Sequence, residues 1–403
     1  MPNRPRPDRP IRLLVPPSVA QRLITRRRFL TMGGAGMAAV GLGLAGCGGD
    51  DDEAPVGAGG TSSTGGTGTS AAEIEDALSI YTWAEYQSED NVATFEDENG
   101  LTISLDIFDS NEAAIAKLEL QGGSAGYDIV VPTGTFIPQM VEKGLLQKLD
   151  KSKIPNFENL DPAFLDQPWD PGNEYSVVKD WGSTGYVYDT SVIGEELTDW
   201  ADFFRAAAMD GVSGKVAVLA SPGDVTGMVF WREGIDWNTT NPEDLDLAEQ
   251  VILEELVPHI KAFDSYPVEG LLGGSFTLAQ MFNGDARSVI IEDPEKFRWV
   301  LGAPKTELWV DTWAIVADAP HPEAAHAWIN FILDPEVSAA EVDWHGYNTA
   351  VVGVQDFLPD DLEAPEIIFF TDEEKARLVP GEVNEAQDRI VEIFNRAQAA
   401  AGG

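Results

Sequence analysis

Acidic residues lie beside aromatic residues at points where predicted strands give way to loops. In "LWVDTW", Trp309 and Asp311 share one face of a predicted strand, because residues two apart point the same way. In "YTWAEY", Glu85 lies between Trp83 and Tyr86 at the end of another predicted strand. Asp is a poor strand former and a buried carboxylate needs a partner, so Asp311 is the hardest of these to explain as ordinary core.

An aromatic slot with carboxylates at its ends suits an elongated alkyl cation. Aromatic rings cover methylene groups and attract ammonium groups by about 0.5 to 2 kcal/mol each. Charge-assisted hydrogen bonds from ammonium to carboxylate add about 1.5 to 3 kcal/mol each and fix the ends. In open α/β sheets, ligands bind at the carboxyl ends of the strands. The pattern therefore favours a binding cleft for a cationic solute.

Two further residues fit such a cleft. Asp224 lies in the turn "SPGDVTG" before a predicted helix, and Tyr347 lies in the loop "HGYNT". Structural explanations stay open for most of the set. Asp224 could be a helix N-cap, the tyrosines could close loops, and Trp83 and Trp309 could be core residues.

Motifs for catalysis or metal binding are not evident in the sequence. His321 and His326 are five residues apart and do not share a helical face, and no cysteine or carboxylate set completes a metal site. The G-x-S-x-G, P-loop and dinucleotide-binding patterns do not occur. An enzyme that uses two acids stays open, because 68 acidic residues offer many pairs and nothing selects one. We expect no metal, no cofactor and no catalytic residue.

Strand-like and helix-like segments alternate over residues 76–399, which predicts mainly parallel sheets with helices on their faces. About 320 residues exceed what one hydrophobic core usually serves, so we expect two lobes. The apolar runs 288–292 and 308–316 predict strands, and 384–399 predicts a C-terminal helix. The predicted fold is α/β, with two lobes that exchange strands.

The N-terminal segment is typical of an export signal. Arg26 and Arg27 precede a short apolar run that ends in "LAGC", which is too short to span a membrane. The paired arginines resemble the twin-arginine export motif, and "LAGC" resembles a lipobox, whose cysteine is lipidated and becomes the first mature residue. We predict a signal peptide over 1–46, lipidation of Cys47, and a flexible Gly/Ser/Thr/acidic tether over 47–75.

The chain is strongly acidic, with 26 basic and 68 acidic residues and a formal net charge of −42. Eight basic residues and one acidic residue precede Cys47, which leaves 18 and 67 in the mature chain and a net charge of −49. Such a charge excludes nucleic acid as a partner, because phosphate binding needs a basic face. It could concentrate a cationic solute, but adaptation to solubility or high salt explains it equally well.

The sequence resembles a known family, the extracytoplasmic spermidine/putrescine-binding proteins of polyamine ABC importers. Segments matching in order and spacing across about 76–399 carry the resemblance: "YTWAEY", "FDSNEAAIAKL", "YDIVVPT", "LLQKLDKSKIPNFENLDP", "DWGSTGYVYD", "LWVDTWAI" and "GYNTA". The resemblance implies a type II periplasmic-binding-protein fold, with a mixed sheet flanked by helices in each lobe and a ligand cleft at the hinge. It also implies a monomeric receptor that captures a polyamine and delivers it to a membrane permease.

Positions matching the family's ligand contacts are Trp83, Tyr86, Thr133, Trp309, Asp311, Tyr347 and Asn384. Asp224 matches a carboxylate position that is usually Glu. Ser221 stands where some members have a second Asp, and Phe282 replaces a Trp. Asp311 and Asp224 would thus hold a dication, with Glu85 a weaker third carboxylate. These differences from the family pattern favour a diamine or a generic polyamine as the ligand, and spermidine stays open as an alternative.

The resemblance also implies where the chain passes between the lobes. Lobe 1 is expected at 76–185 and 308–357, and lobe 2 at 186–307 and 358–403. The receptor would lie in the periplasm or on the outer face of the cell membrane, anchored through Cys47. Two alternatives stay open: a receptor of the same fold for another cationic or polar solute, and an enzyme built on this scaffold.

Overall fold

The computed structural model describes residues 74–402 and the two-residue strand Leu13–Leu14. Cys47 and the rest of the predicted signal peptide and tether before residue 74 lie outside the described residues. In chain order the strands are β1 (Leu13–Leu14), β2 (Ala77–Thr82), β3 (Thr102–Ile107), β4 (Ile129–Val130), β5 (Ser176–Gly182), β6 (Thr184–Asp189), β7 (Val216–Val218), β8 (Ile260–Phe263), β9 (Leu278–Phe282), β10 (Phe297–Leu301), β11 (Thr306–Ile315), β12 (Asn348–Thr349) and β13 (Leu378–Pro380).

Helices connect most of these strands. They are α1 (Glu89–Asn99), α2 (Asn111–Gln121), α3 (Ile137–Glu142), α4 (Trp200–Ala207), α5 (Pro222–Glu233), α6 (Pro242–Val251), α7 (Val268–Leu272), α8 (Asn283–Glu292), α9 (Pro322–Ile332), α10 (Pro335–His345), α11 (Pro365–Ile368), α12 (Asp372–Lys375) and α13 (Gln387–Ala400). Short 3₁₀ turns span Gly134–Phe136, Lys151–Lys153, Pro155–Asn159, Pro162–Phe164, Val257–His259 and Val354–Asp356, and a π turn spans Ile252–Leu256.

Local sequence explains where many helices begin and end. Ser88, Ser110 and Ser221 precede α1, α2 and α5, and each side-chain oxygen accepts a hydrogen bond from a backbone N–H of the first turn. Gly100 and Gly346 end α1 and α10 in the left-handed conformation that glycine adopts most readily. None of the helices in the described residues is long and apolar enough to span a membrane.

The strands form two mixed sheets. The first has the order β1-β3-β2-β4-β11-β5-β12, with β13 paired to β11, and the second has the order β10-β6-β9-β7-β8. In the first sheet, β2 is parallel to β3 and β4, whereas β11 is antiparallel to β4 and β5. Helix α9 contacts the first sheet and α8 the second, which gives the two-lobed α/β architecture that the sequence predicts.

Each sheet has its own hydrophobic core. The core of the first sheet includes the fully buried Trp313 and Trp328, and that of the second includes the fully buried Trp200 and Trp231. Each sheet carries two hydrophobic clusters, four among the described residues, which agrees with the expectation that a folded part of this length exceeds one core. We call the parts built on the first and second sheets the first and second lobes.

The chain crosses between the lobes three times, because α13 packs in the core of the second sheet after β13 has paired in the first, and the first two crossings form the hinge. Strand β5 ends in the first sheet at Gly182, and β6 begins in the second sheet at Thr184, with Ser183 between them. Strand β11 follows β10 of the second sheet and lies inside the first sheet. The Ser183 hydroxyl donates a hydrogen bond to the carbonyl oxygen of Glu307 at 2.6 Å, which ties the two crossings together.

Among the predicted elements, the strand over 308–316 and the C-terminal helix are confirmed as β11 and α13. The prediction of a strand over 288–292 is wrong, because these residues form the second half of α8. Its β-branched residues favour a strand locally, but Ala286 and Val289, three apart, are buried on one side of a helix. Tertiary packing overrides local propensity here.

Candidate functional site

Asp311 lies at the hinge, buried to 6 % exposure, and is held by two hydroxyl groups. Thr133 donates a hydrogen bond from Oγ1 to Oδ1 of Asp311 at 2.8 Å, and Oη of Tyr86 lies 2.8 Å from Oδ2. Burial raises the pKa of Asp311 to about 7, the charge of Asp180 adds to this, and the two hydroxyls oppose it. The carboxyl is thus poised to change charge near neutral pH.

Asp180 faces Asp311 across the β5–β11 ladder, and Tyr86 joins the two carboxyls. The Tyr86 hydroxyl also makes a short hydrogen bond to Oδ1 of Asp180. A hydroxyl has a single hydrogen, so it can donate to only one of the two carboxyls at a time. The Tyr86 hydrogen bond lowers the pKa of Asp311, so its raised pKa comes from burial and the charge of Asp180 and not from this contact.

The buried side chain of Lys179 forms an ion pair with Asp180. The Lys179 ammonium lies 2.6 Å from Oδ2 of Asp180, 3.9 Å from Oε2 of Glu341, and 3.8 Å from the centre of the Tyr86 ring. Burial raises the pKa of Asp180 and of Glu341, and in both cases the Lys179 charge opposes it. The protein therefore supplies one ammonium group of its own to this end of the site.

His345 completes the surroundings of Asp180 as a neutral ring. Burial, together with the charge of Lys179, lowers the pKa of His345 well below its usual range. The backbone N–H of Tyr347 donates to Nδ1 at 3.0 Å, so the ring hydrogen is on Nε2, which faces Oδ2 of Asp180 at 3.2 Å. His345 is a hydrogen-bond donor here and adds no positive charge.

Four aromatic rings form a cluster beside these carboxyls. The Trp309 ring meets Tyr347 edge-on with centroids 4.8 Å apart, and Phe282 edge-on at 6.0 Å. Tyr347 in turn lies 5.8 Å from Tyr86. A Cβ at Gly182 would clash with the Trp309 ring, so the absence of a side chain at this crossing lets the indole pack against the hinge.

A second pair of acids lies on the other side of Trp309. The hydroxyl of Thr184, which is fully buried, lies 2.7 Å from Oδ1 of Asp224 and 2.8 Å from Oε2 of Glu307. Burial and the neighbouring Asp224 raise the pKa of Glu307 well above its usual range, and the Thr184 hydrogen bond opposes this rise. Neither acid forms an ion pair with a lysine, arginine or histidine of the described chain.

The remaining predicted residues have other neighbours. Trp83 follows β2 and packs edge-on against Phe108, with ring centres 4.3 Å apart. Glu85 is exposed, with a φ of 53°, and its carbonyl oxygen accepts a hydrogen bond from Trp344. Whether either residue touches a ligand stays a prediction.

Ser221 and Asn384 both have structural contacts. Ser221 is the N-cap of α5 and accepts a hydrogen bond from the backbone N–H of Asp224, so helix capping does not explain Asp224. The Asn384 side chain donates to the carbonyl of Asn238 at 3.0 Å and accepts from the backbone of Ala386 at 2.9 Å. Their place in the ligand set stays a prediction.

Sequence reasoning missed six residues of the site: Lys179, Asp180, Thr184, Glu307, Glu341 and His345. Asp180 carried the same signal as Asp311, a carboxylate inside an apolar strand-like run. Glu307 precedes Trp309 by two residues and so shares its face of β11. Within residues 74–402, no group of three or more histidine, cysteine or acidic residues is arranged to hold a metal ion.

Comparison with known proteins is consistent with this geometry. The family model of the bacterial extracellular solute-binding proteins matches residues 91–369. The spermidine/putrescine-binding periplasmic protein 1 of Haemophilus influenzae is 32 % identical over 307 residues, which cover 75 % of this chain and 83 % of that protein. A putrescine-binding periplasmic protein of Escherichia coli is 33 % identical over 287 residues, which cover 68 % of this chain and 77 % of that protein.

A solved structure has the same architecture. The spermidine/putrescine ABC transporter substrate-binding protein of Streptococcus pneumoniae superposes with a TM-score of 0.67 at 26 % identity, covering 81 % of this chain and all of that one. Family match, sequence identity and fold agree over nearly all of the described residues. The chain belongs to the bacterial extracellular solute-binding protein family.

Proposed function

We propose that this protein is the receptor of a polyamine ABC importer, which captures putrescine or spermidine between its lobes and delivers it to a membrane permease. The observation that carries the proposal is the charge around Trp309. Asp180, Asp311 and Glu341 lie around Lys179, and Asp224 and Glu307 form no ion pair with a basic residue of the described chain. These five acids therefore exceed the basic groups by four.

An alkyl polycation fits this arrangement in both charge and shape. Its ammonium groups replace the protons that the raised pKa values keep on the acids, and its methylene groups lie against the rings of Trp309, Tyr347 and Phe282. The relatives named above are described as binding putrescine or spermidine, which supports the same ligand class.

Binding requires the lobes to open and close, because Asp311 and Trp309 are buried. In the described chain the lobes touch outside the site as well: the backbone N–H of Ala84 donates to Oη of Tyr266 at 3.4 Å, and Gln387 donates to Glu112 at 3.3 Å. These few polar contacts can break when the hinge opens. The lobe boundaries predicted from the sequence belong to this proposal.

Export and anchoring are part of the proposal too. The twin-arginine signal and the "LAGC" motif support translocation, lipidation of Cys47 and display outside the cytoplasmic membrane. The acidic tether then lets the receptor reach the permease while it stays attached. Mass spectrometry of the membrane fraction tests this directly: a diacylated N-terminal peptide beginning at Cys47 is expected, and an unmodified Cys47 contradicts it.

Titration calorimetry of the mature protein tests the ligand. We expect heat with putrescine, spermidine or both at micromolar concentrations, and none with neutral amino acids. The absence of heat with any polyamine well above micromolar concentration refutes the proposal. Chemical conversion of a bound ligand would instead favour an enzyme on this scaffold.

A second candidate is a receptor of the same fold for a cationic solute that also carries an oxygen acceptor. The observation in its favour is that the indole N–H groups of Trp83 and Trp309 are buried and have no acceptor among the described residues. A polyamine offers no acceptor to them in its charged form. Tighter binding of lysine or arginine than of putrescine in the same calorimetric series would select this candidate.

A further inference from the structure

The hydroxyl of Thr184 lies between two carboxyls in the same way as that of Tyr86 does at the other end of the site. It is 2.7 Å from Asp224 and 2.8 Å from Glu307, both hydrogen-bond distances. One hydroxyl hydrogen serves one acceptor, so the other contact needs a proton on a carboxyl. The empty pair therefore keeps one proton and carries one negative charge instead of two.

Unlike the pair in the first lobe, this pair has no internal cation. Lys179 lies within 2.6 Å of Asp180, whereas no basic residue of the described chain forms an ion pair with Asp224 or Glu307. The titratable groups that face Glu307 are Asp224 on α5 and Asp311 on its own strand, and both are acids. All the charges that face Glu307 therefore favour its neutral form when the site is empty.

Glu307 also has the right position to meet a ligand that touches Asp311. Residues 307, 309 and 311 share one face of β11, and four residues of strand span about 13 Å between Glu307 and Asp311. Trp309 lies between them on this face of the strand. An extended chain with charged ends that lies along this ring reaches both acids.

We propose that Glu307, bridged to Asp224 by Thr184, is a second ammonium-binding acid of the site, which is protonated when the site is empty and releases its proton when an alkylammonium group enters. This inference rests on the proposed polyamine function. In the step, the carboxylic acid of Glu307 loses its proton to solvent and the carboxylate accepts a hydrogen bond from the ammonium group, so charge and protons balance. The raised pKa of Glu307 agrees with the protonated empty form.

Calorimetry with putrescine in buffers of different ionisation enthalpy counts the protons released. At pH 8, Asp311 is already mostly ionised, because its pKa is about 7, so it contributes roughly a tenth of a proton. The wild type is expected to release about one proton per ligand. Glu307→Gln keeps the shape of the protonated acid but cannot ionise, so it is expected to release almost none and to bind about tenfold more weakly.

Glu196→Gln, at an exposed position, is the matched control and is expected to behave as the wild type. Equal affinity and equal proton release in Glu307→Gln and wild type would overturn the inference. If Glu307→Gln does not fold, as judged by its thermal unfolding, Asp224→Asn replaces it and is expected to reduce the proton release, because it removes the charge of Asp224 that helps to raise the pKa of Glu307. Putrescine binding by the wild type without proton release refutes this inference alone, whereas no binding of any polyamine refutes the proposed function.

Discussion

Asp311→Asn is expected to weaken polyamine binding only at a pH where the wild-type carboxyl is ionised. The substitution keeps the size of the side chain and its acceptor oxygen for Thr133 but removes the charge. Burial raises the pKa of Asp311 in the empty site to about 7. The wild type is thus mostly ionised at pH 8 and mostly protonated at pH 5.5, where it carries no more charge than the variant.

The magnitude follows from the two kinds of hydrogen bond. A charge-assisted bond contributes about 1.5 to 3 kcal/mol and a neutral one about 0.5 to 1.5 kcal/mol, so their difference of about 1.4 kcal/mol is a factor of about ten in affinity. By linkage, an ammonium group that binds the ionised form tenfold better lowers the pKa of Asp311 in the complex. The ratio of the variant's dissociation constant to that of the wild type should therefore fall from about ten at pH 8 to about one at pH 5.5.

Putrescine titrations at pH 8, 7 and 5.5 measure the ratio of the two dissociation constants. The ratio is expected to be about ten at pH 8 and close to one at pH 5.5. The ratio removes the effect of Glu307, which both proteins share, and the exposed Asp361→Asn is the matched control. Equal affinities at pH 8 would make Asp311 structural, and a constant ratio of ten would refute its titration near pH 7.

Three further predictions concern the same carboxyls. In the empty protein, Asp311→Asn should raise the free energy of unfolding above pH 7 by up to about 4 kcal/mol, because the ionised carboxylate of the wild type is destabilised by burial in the folded state. Urea unfolding should show that this gain vanishes near pH 4. A gain independent of pH would contradict the prediction. Lys179→Met should lower the free energy of unfolding by about 3 to 5 kcal/mol, because it leaves buried Asp180 without its cation. Lys148→Met removes an exposed ion pair, is the control and should change stability little. Unchanged stability of Lys179→Met would refute the role of the internal ammonium group. Tyr86→Phe removes a hydroxyl that lowers the pKa of Asp311. The midpoint of the pH dependence of putrescine affinity should therefore move to higher pH. An unchanged midpoint would contradict a hydrogen bond from Tyr86 to Asp311.

Much of the fold could be predicted from the sequence because its signals are local. Apolar runs, serine caps and terminal glycines mark β11 and helices such as α1 and α2. The run 288–292 shows the limit of such signals. Its β-branched residues indicate a strand, and only packing against the second sheet, which the local sequence does not contain, makes it helical.

The site could be predicted in part for the same reason. Asp311 is conspicuous as a charge in an apolar strand, and Trp309 follows from the period of two. Thr184 has no local signal, because its role depends on Glu307, more than a hundred residues later in the chain. Asp180 could have been predicted in the same way as Asp311, but the adjacent Lys179 suggests an ordinary ion pair in the sequence. Only the structure shows that both side chains are buried at the hinge.

The two ends of the site differ in the charge that they leave for a ligand. At the first-lobe end Lys179 lies between Asp180 and Glu341, so Asp311 is the acid there without a close internal cation. At the other end Asp224 and Glu307 can together hold two negative charges, because no basic group of the described chain is paired with either. We therefore expect a diamine to place one ammonium group at each end, and a third ammonium group to lie beside Asp224 and Glu307. Because Lys179 neutralises an acid at one end only, we expect a ligand with unequal ends to bind with its more highly charged end beside Asp224 and Glu307.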